Sequence, residues 1–364
     1  MKPHIFQYKQ SFQLETGGVL PSLNVAYHTY GTLNKQADNV IWVCHALTAN
    51  SEVTDWWPEM IGKGKLFDTD KYFIVCPNII GSCYGSTGPL STNPKTALPW
   101  YRSFPEITIR DLVKAHDLLR IHLGIRRIFT TIGGSIGGFQ ALEYSIMFPE
   151  LIQHLVFIAG SIQISPWANA FNQSQRLAIE ADPSYLEEKP YGGSKGLKCA
   201  RSIALMSYRN EQSYTQTQRE SDPTQTKNLK ASSYQNYQGD KLVKRFDAYS
   251  YHALTRLMDT HNIVRDRGSI GDVIRMIKAK VLSIGISSDQ LFPVHEQKIL
   301  AHIARGEYRE IDSPFGHDGF LLEGTKISAN VRDFWKQSQE QNQLENQEQK
   351  NQKSTLQRKL SISA

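Results

Sequence analysis

The chain has 364 residues, 40% hydrophobic and 21% charged, with 25 Gly and 15 Pro, a globular composition long enough to bury a sizeable core. Its formal net charge of +6 is scattered, and the absence of a dense basic run excludes the electrostatic footprint of a nucleic-acid binder. No apolar run of about 18 residues occurs, so a membrane-spanning helix is excluded as well.

The first 160 residues alternate short apolar runs with helical patterns. Segments 39–46 (NVIWVCHA), 72–80 (YFIVCPNII), 127–134 (RIFTTIGG) and 154–160 (HLVFIAG) read as buried strands. Between them, 108–123 and 138–148 carry apolar residues at helical spacing, and this alternation predicts a parallel sheet covered on both faces. The pattern returns with a strand at 280–288, a helix at 294–304, a strand at 308–312 and a closing helix at 327–336. The α/β core is therefore expected over 1–160 and 276–336. Residues 161–275 carry helical stretches at 170–182, 196–209 and 250–261, with a polar separator around 211–230; they predict a helical lid inserted over the C-terminal edge of the sheet. The last segment, 337–364, is rich in Gln, Asn, Glu and Lys and predicts a disordered tail. Four cysteines without CxxC or zinc-like spacing, and a start without the apolar core of a signal peptide, predict a cytoplasmic protein with reduced thiols and no metal site.

Ser135 lies in Gly133-Gly134-Ser135-Ile136-Gly137, a G-x-S-x-G between a buried strand and an amphipathic helix. That context predicts a nucleophile elbow, a tight strand-to-helix turn exposing the serine hydroxyl. A serine needs a base to take its proton and an acid to orient the base. On this architecture the acid and histidine follow in order at later strand ends. Asp289, directly after the strand at 280–288, and His317, in the loop after 308–312, meet both conditions. An aspartate there could also cap a helix, and Asp312 is an alternative acid crowded against His317. His45 ends an earlier strand, while His252, His295 and His302 fall in or beside helices, where packed or solvated roles suffice. Stabilising a tetrahedral oxyanion takes two amides: Ile136, after the serine, and Leu47 or Ala46 in the loop 44–50. The glycine-rich loop 81–89 could line the same site.

The segments VCHALTANSEVTDWW, DTDKYFIVCPNIIGSCYGSTGPLSTNP, FPEITIRDLVKAHDLL, IGGSIGGFQALE, FDAYSYHALTR and FGHDGFL together resemble the homoserine O-acyltransferases of methionine biosynthesis, from about residue 10 to 336. The resemblance implies an α/β-hydrolase fold and transfer of acetyl from acetyl-CoA, a co-substrate rather than a bound cofactor, to L-homoserine through an acyl-serine. It implies Ser135, Asp289 and His317 as the triad and the amides of Leu47 and Ile136 as the oxyanion hole. Arg201 and Tyr208, seven positions apart, match the family's substrate-binding arginine and tyrosine, and Asp318 its aspartate beside the histidine. Ile136 stands where methionine is common, a small departure because the donor is backbone. A homodimer is the expected assembly. Succinyl as donor group, serine as acceptor, and plain ester hydrolysis by the same triad are the competing readings.

Overall fold

The computed structural model describes residues 2–362, with backbone only at 346 and 348–362. After β1 (His4–Tyr8), the short strands β2 (Phe12–Gln13) and β3 (Val19–Leu20) make a separate hairpin, and β4 (Leu23–Tyr30) returns antiparallel to β1. Then come β5 (Val40–Cys44), β6 (Phe73–Pro77), α1 (Ile109–His122), β7 (Ile128–Gly134), α2 (Ile136–Met147) and β8 (Ile152–Ile158). Helices α3 (Pro166–Glu180), α4 (Ser194–Tyr208), α5 (Glu211–Gln218), α6 (Lys230–Val243), α7 (Ala248–Asp259) and α8 (Ile270–Ile274) occupy the stretch before β9 (Lys280–Ile286). The chain closes with α9 (Val294–Ala304), β10 (Glu307–Ile311), α10 (Gly319–Leu322) and α11 (Gly324–Ile362). The main sheet runs β1-β4-β6-β5-β7-β8-β9-β10, with β4 antiparallel to β1 and β6 and every later pair parallel.

The central strands are apolar throughout because both faces are covered. Along β5, Val40, Trp42 and Cys44 enter one core and Ile41 and Val43 the other, the two-residue period of a strand. On the first face pack α1 and α2 through residues such as Leu112, Leu119, Phe139 and Leu142. On the second lies α11, whose Ile327, Val331, Phe334 and Trp335 form one stripe. The helices start where the sequence supplies caps: Thr108 and Asp111 form a reciprocal capping box at α1, and Ser165 caps α3 ahead of Pro166. Among the described residues no helix is long and apolar enough to cross a membrane.

Three features depart from expectation. Strands β1 and β4 carry no clear sequence signal; β1 lies at the sheet edge with a single buried residue, Phe6. The separator around 211–230 contains α5, which starts at an Asn210–Ser213 capping box. The tail at 337–364, expected to be disordered, continues α11 as helix to Ile362, and 363–364 lie outside the described residues. Gln, Glu and Lys cost little in a helix, and the tail's first turn docks. Ser338 is only 3% exposed and hydrogen-bonds His154 Nε2 at 2.8 Å, while Lys280 Nζ donates to Ser338 O at 3.1 Å and Asn342 Oδ1 at 2.9 Å. Truncation after Trp335 should therefore lower the melting temperature by a few degrees, at about 1 kcal/mol per lost hydrogen bond. Truncation after Leu344 should leave it unchanged. Equal melting of both forms in calorimetry would show that the docked turn contributes nothing.

Candidate active site

Ser135 joins β7 to α2 with φ 59° and ψ −130°, a region that L-residues reach only under strain. The neighbouring glycines make that turn possible. A Cβ on Gly137 would lie 2.2 Å from the Cys44 carbonyl oxygen, and one on Gly133 would lie 2.3 Å from the Gly137 carbonyl carbon. The elbow thus nests against the end of β5, and its backbone is pinned by Ser135 N donating to Ile158 O at 3.0 Å. The serine itself is 6% exposed.

The acid and base arrive from the ends of β9 and β10. Asp289 Oδ1 accepts from the amides of Leu291 (2.8 Å) and Phe292 (2.9 Å), leaving Oδ2 to accept from His317 Nδ1 at 2.7 Å. This pairing fixes the imidazole with its proton on Nδ1 and a free lone pair on Nε2. The ring is boxed by Phe320, Phe292 and Tyr208, with centroids at 5.1, 5.4 and 5.8 Å. Behind it, Ser288 Oγ accepts from Gly316 N at 2.9 Å and donates to Ser313 O at 2.5 Å, holding the histidine turn. Asp312 is not the acid: it is exposed and accepts from Ser287 Oγ at 3.1 Å. The competing histidines near or in helices stand apart from the serine. His252 bonds Glu180, His295 faces Glu296, and His302 is exposed on α9.

His45 is fully buried under the loop that follows β5. Its Nδ1–H donates to Ala46 O at 2.9 Å and its Nε2 accepts from Ile79 N at 3.0 Å. Burial pushes its pKa down to about 4, so it is a neutral brace. Gln140 Nε2 donates to both His45 O (3.2 Å) and Ile136 O (3.1 Å), tying this loop to α2. Ile136 opens α2, and its N–H has no acceptor within the helix. The amides of Leu47 and Ile136 are thus carried by segments braced to each other.

A cavity of about 330 Å³ opens onto Ser135 and His317, and Leu47, Arg201, Tyr208 and Asp318 line it too. Arg201 lies over the Tyr208 ring, its Cζ 5.5 Å from the centroid; the two sit on one face of α4 because seven residues span nearly two turns. Asp318 forms an ion pair with Arg209 at 2.9 Å. Burial pushes its carboxyl up, against the pull of Arg209, Arg201 and His317. Sequence reasoning missed Trp56, Tyr84, Lys241 and Arg245 on the cavity wall, and Arg209, one residue beyond Tyr208, which meets the site through Asp318. A second cavity, about 520 Å³, lies between α3, α7 and residues 101–107. It holds no triad residue, and its charges neutralise one another: Arg176 with Asp259, Arg256 with Glu106.

Residues 39–324 match the family model described as the alpha/beta hydrolase fold. A homoserine O-acetyltransferase from Cyclobacterium marinum is 44% identical over 336 residues, covering 92% of this chain and 95% of the relative. The chain belongs to the homoserine O-acetyltransferase family. The crystal structure of a homoserine O-acetyltransferase from Bacillus anthracis superposes with a TM-score of 0.84 at 26% identity, covering 92% of this chain and 97% of that one. An acetylester hydrolase from Corynebacterium glutamicum is also similar, with a TM-score of 0.80 at 26% identity over 92% of this chain and 96% of that one. In this family setting Ser135, Asp289 and His317 all stand beyond the C-terminal ends of parallel strands, where open α/β sheets hold their ligands.

Proposed function

We propose that the chain is a homoserine O-acetyltransferase, moving acetyl from acetyl-CoA to the hydroxyl of L-homoserine by a ping-pong route through Ser135. The observation that carries this reading is His317, oriented by the buried Asp289, sharing one cavity with Ser135 and with Arg201. His317 Nε2 takes the Ser135 proton as Oγ attacks the thioester carbonyl. The oxyanion receives the Leu47 and Ile136 amides. Collapse expels the coenzyme A thiolate, which takes the proton from His317 and leaves acetyl-serine. The homoserine hydroxyl then gives its proton to His317 and attacks the acetyl carbonyl. Ser135 departs and recovers that proton. Arg201 binds the homoserine carboxylate by a charge-assisted bond, with Tyr208 beneath it. Asp318, shared with Arg209, faces the ammonium. The helices of 161–275 act as the lid that supplies this acceptor half of the site. The enzyme works in the cytoplasm as a homodimer, consistent with four free cysteines and with Trp167 and Leu186 exposed on the insertion; light scattering giving the mass of a single chain would overturn the dimer.

Acetyl-CoA alone should add one acetyl group to the intact protein, located on Ser135, and homoserine should remove it. Succinyl-CoA as donor and serine as acceptor, run in parallel, should react more slowly. An unlabelled wild type, or equal labelling of Ser135→Ala, contradicts the acyl-serine. The second reading is an acetyl esterase, favoured by the similarity to the acetylester hydrolase. Water would then discharge the acetyl-serine as fast as homoserine does.

A further inference from the structure

We infer that Arg245 is a positioning residue for acyl transfer, tying the helical insertion to the loop that carries the Leu47 amide. The inference rests on the Ser135 chemistry proposed above. Arg245 lies in the short link 244–247 between α6 and α7, and its main chain is anchored on both sides. The following residue, Phe246, is buried and packs edge-on against Tyr84, with ring centroids 5.5 Å apart. Cys83 Sγ donates to Arg245 O at 3.7 Å, and Asp247 caps α7 through Ser250 N at 2.7 Å. From this fixed base the guanidinium crosses the cavity wall. Nη1 donates to Thr48 O at 2.5 Å and to Tyr84 OH at 2.6 Å, and Nη2 reaches Thr48 Oγ1 at 3.4 Å.

Thr48 directly follows Leu47. On its N-terminal side the loop is held from beneath by His45 and Gln140. On its C-terminal side the grip comes from Arg245 across the cavity. Leu47 therefore sits between two restraints, one from the sheet core and one from the insertion. Among the described residues no carboxylate lies in ion-pair range of Arg245, so its charge is directed at the Thr48 carbonyl. A charged donor on a carbonyl makes a stronger bond than a neutral one. Such stiffness matters because an oxyanion donor works only if held within about 0.5 Å of its productive position, and losing one donor outright costs about 10²–10³ in rate.

The test is the pre-steady-state acylation rate of the full-length protein with two acetyl donors, p-nitrophenyl acetate and acetyl-CoA, in wild type, Arg245→Ala, Arg245→Lys and Ser135→Ala. A loosened Leu47 amide should slow Arg245→Ala about 10- to 100-fold with both donors, through the limiting rate rather than the half-saturating concentration. Lysine, which can still reach the Thr48 carbonyl, should recover part of the loss, and Tyr84→Phe should show a smaller loss, equal for the two donors. A defect confined to acetyl-CoA and seen in half-saturation would make Arg245 an anion contact for the donor and overturn the inference, as would unchanged rates with both. A wild type no faster than Ser135→Ala would remove the serine chemistry itself, and the inference with it.

Discussion

Asp289→Asn should lower the rate of serine acylation about 10³- to 10⁴-fold while leaving the fold intact. The reason lies in which oxygen does what. Oδ1 accepts two backbone amides, from Leu291 and Phe292, and Oδ2 accepts from His317 Nδ1. In asparagine only the carbonyl oxygen can accept, so it must stay on the two amides. The NH₂ group then points at His317 Nδ1, which has to become an acceptor, and the imidazole proton moves to Nε2. That tautomer cannot take the Ser135 proton. Turning the amide over would restore the tautomer but set two buried N–H groups against NH₂, at about 1–3 kcal/mol for each unsatisfied donor. Asparagine should thus be nearly as inactive as alanine, yet melt higher, because Asp289→Ala also strands both backbone amides. A p-nitrophenol burst within tenfold of wild type in Asp289→Asn would show that Asp289 does not orient the base.

The nucleophile and its partners were readable because local sterics leave the sequence little choice. Gly137 and Gly133 are forced by the passage of the Cys44 carbonyl and the elbow's own backbone, and such constraints write themselves as G-x-S-x-G. Asp289 and His317 were readable from strand order, since parallel strands deliver their following loops to one edge. The rest of the cavity wall depends on chain crossings that no local pattern encodes. Arg245 meets Thr48 across 197 positions, and in sequence it is one more cation in a polar link. Arg209 looks like any helix-terminal arginine until Asp318 is placed beside it. The tail was misread for a different reason. Composition reports how much apolar surface a segment can bury, but Ser338 docks through hydrogen bonds to His154 and Lys280 on neighbouring strands, which composition does not register.

Arg201→Ala should separate the two half-reactions. Of the two arginines that α4 and its C-cap bring to this region, Arg201 in mid-helix and Arg209 at the cap, only the second has an ion-pair partner: Arg209 pairs with Asp318 at 2.9 Å. Arg201 has no carboxylate in ion-pair range among the described residues, and its Cζ instead lies 5.5 Å from the Tyr208 ring centroid. A half-buried guanidinium held over an aromatic face, lining the Ser135–His317 cavity and feeling Asp318 only from beyond ion-pair range, has donors open to a substrate carboxylate. The acceptor amino acid carries one, and the thioester carbonyl does not. Removing one partner of a desolvated charged hydrogen bond costs about 2–4 kcal/mol, which is on the order of 30- to 1000-fold in the step that uses it. Arg201→Ala should therefore acetylate Ser135 from acetyl-CoA at close to the wild-type rate, and the acetyl-serine should then resist homoserine. Single-turnover acylation followed by a homoserine chase measures both steps in one sample. A slow first step with a normal chase would place Arg201 on the donor side and leave the homoserine carboxylate to Lys241, a further cation of the wall with no carboxylate in ion-pair range among the described residues; Arg245, equally without one, is engaged by Thr48 and Tyr84.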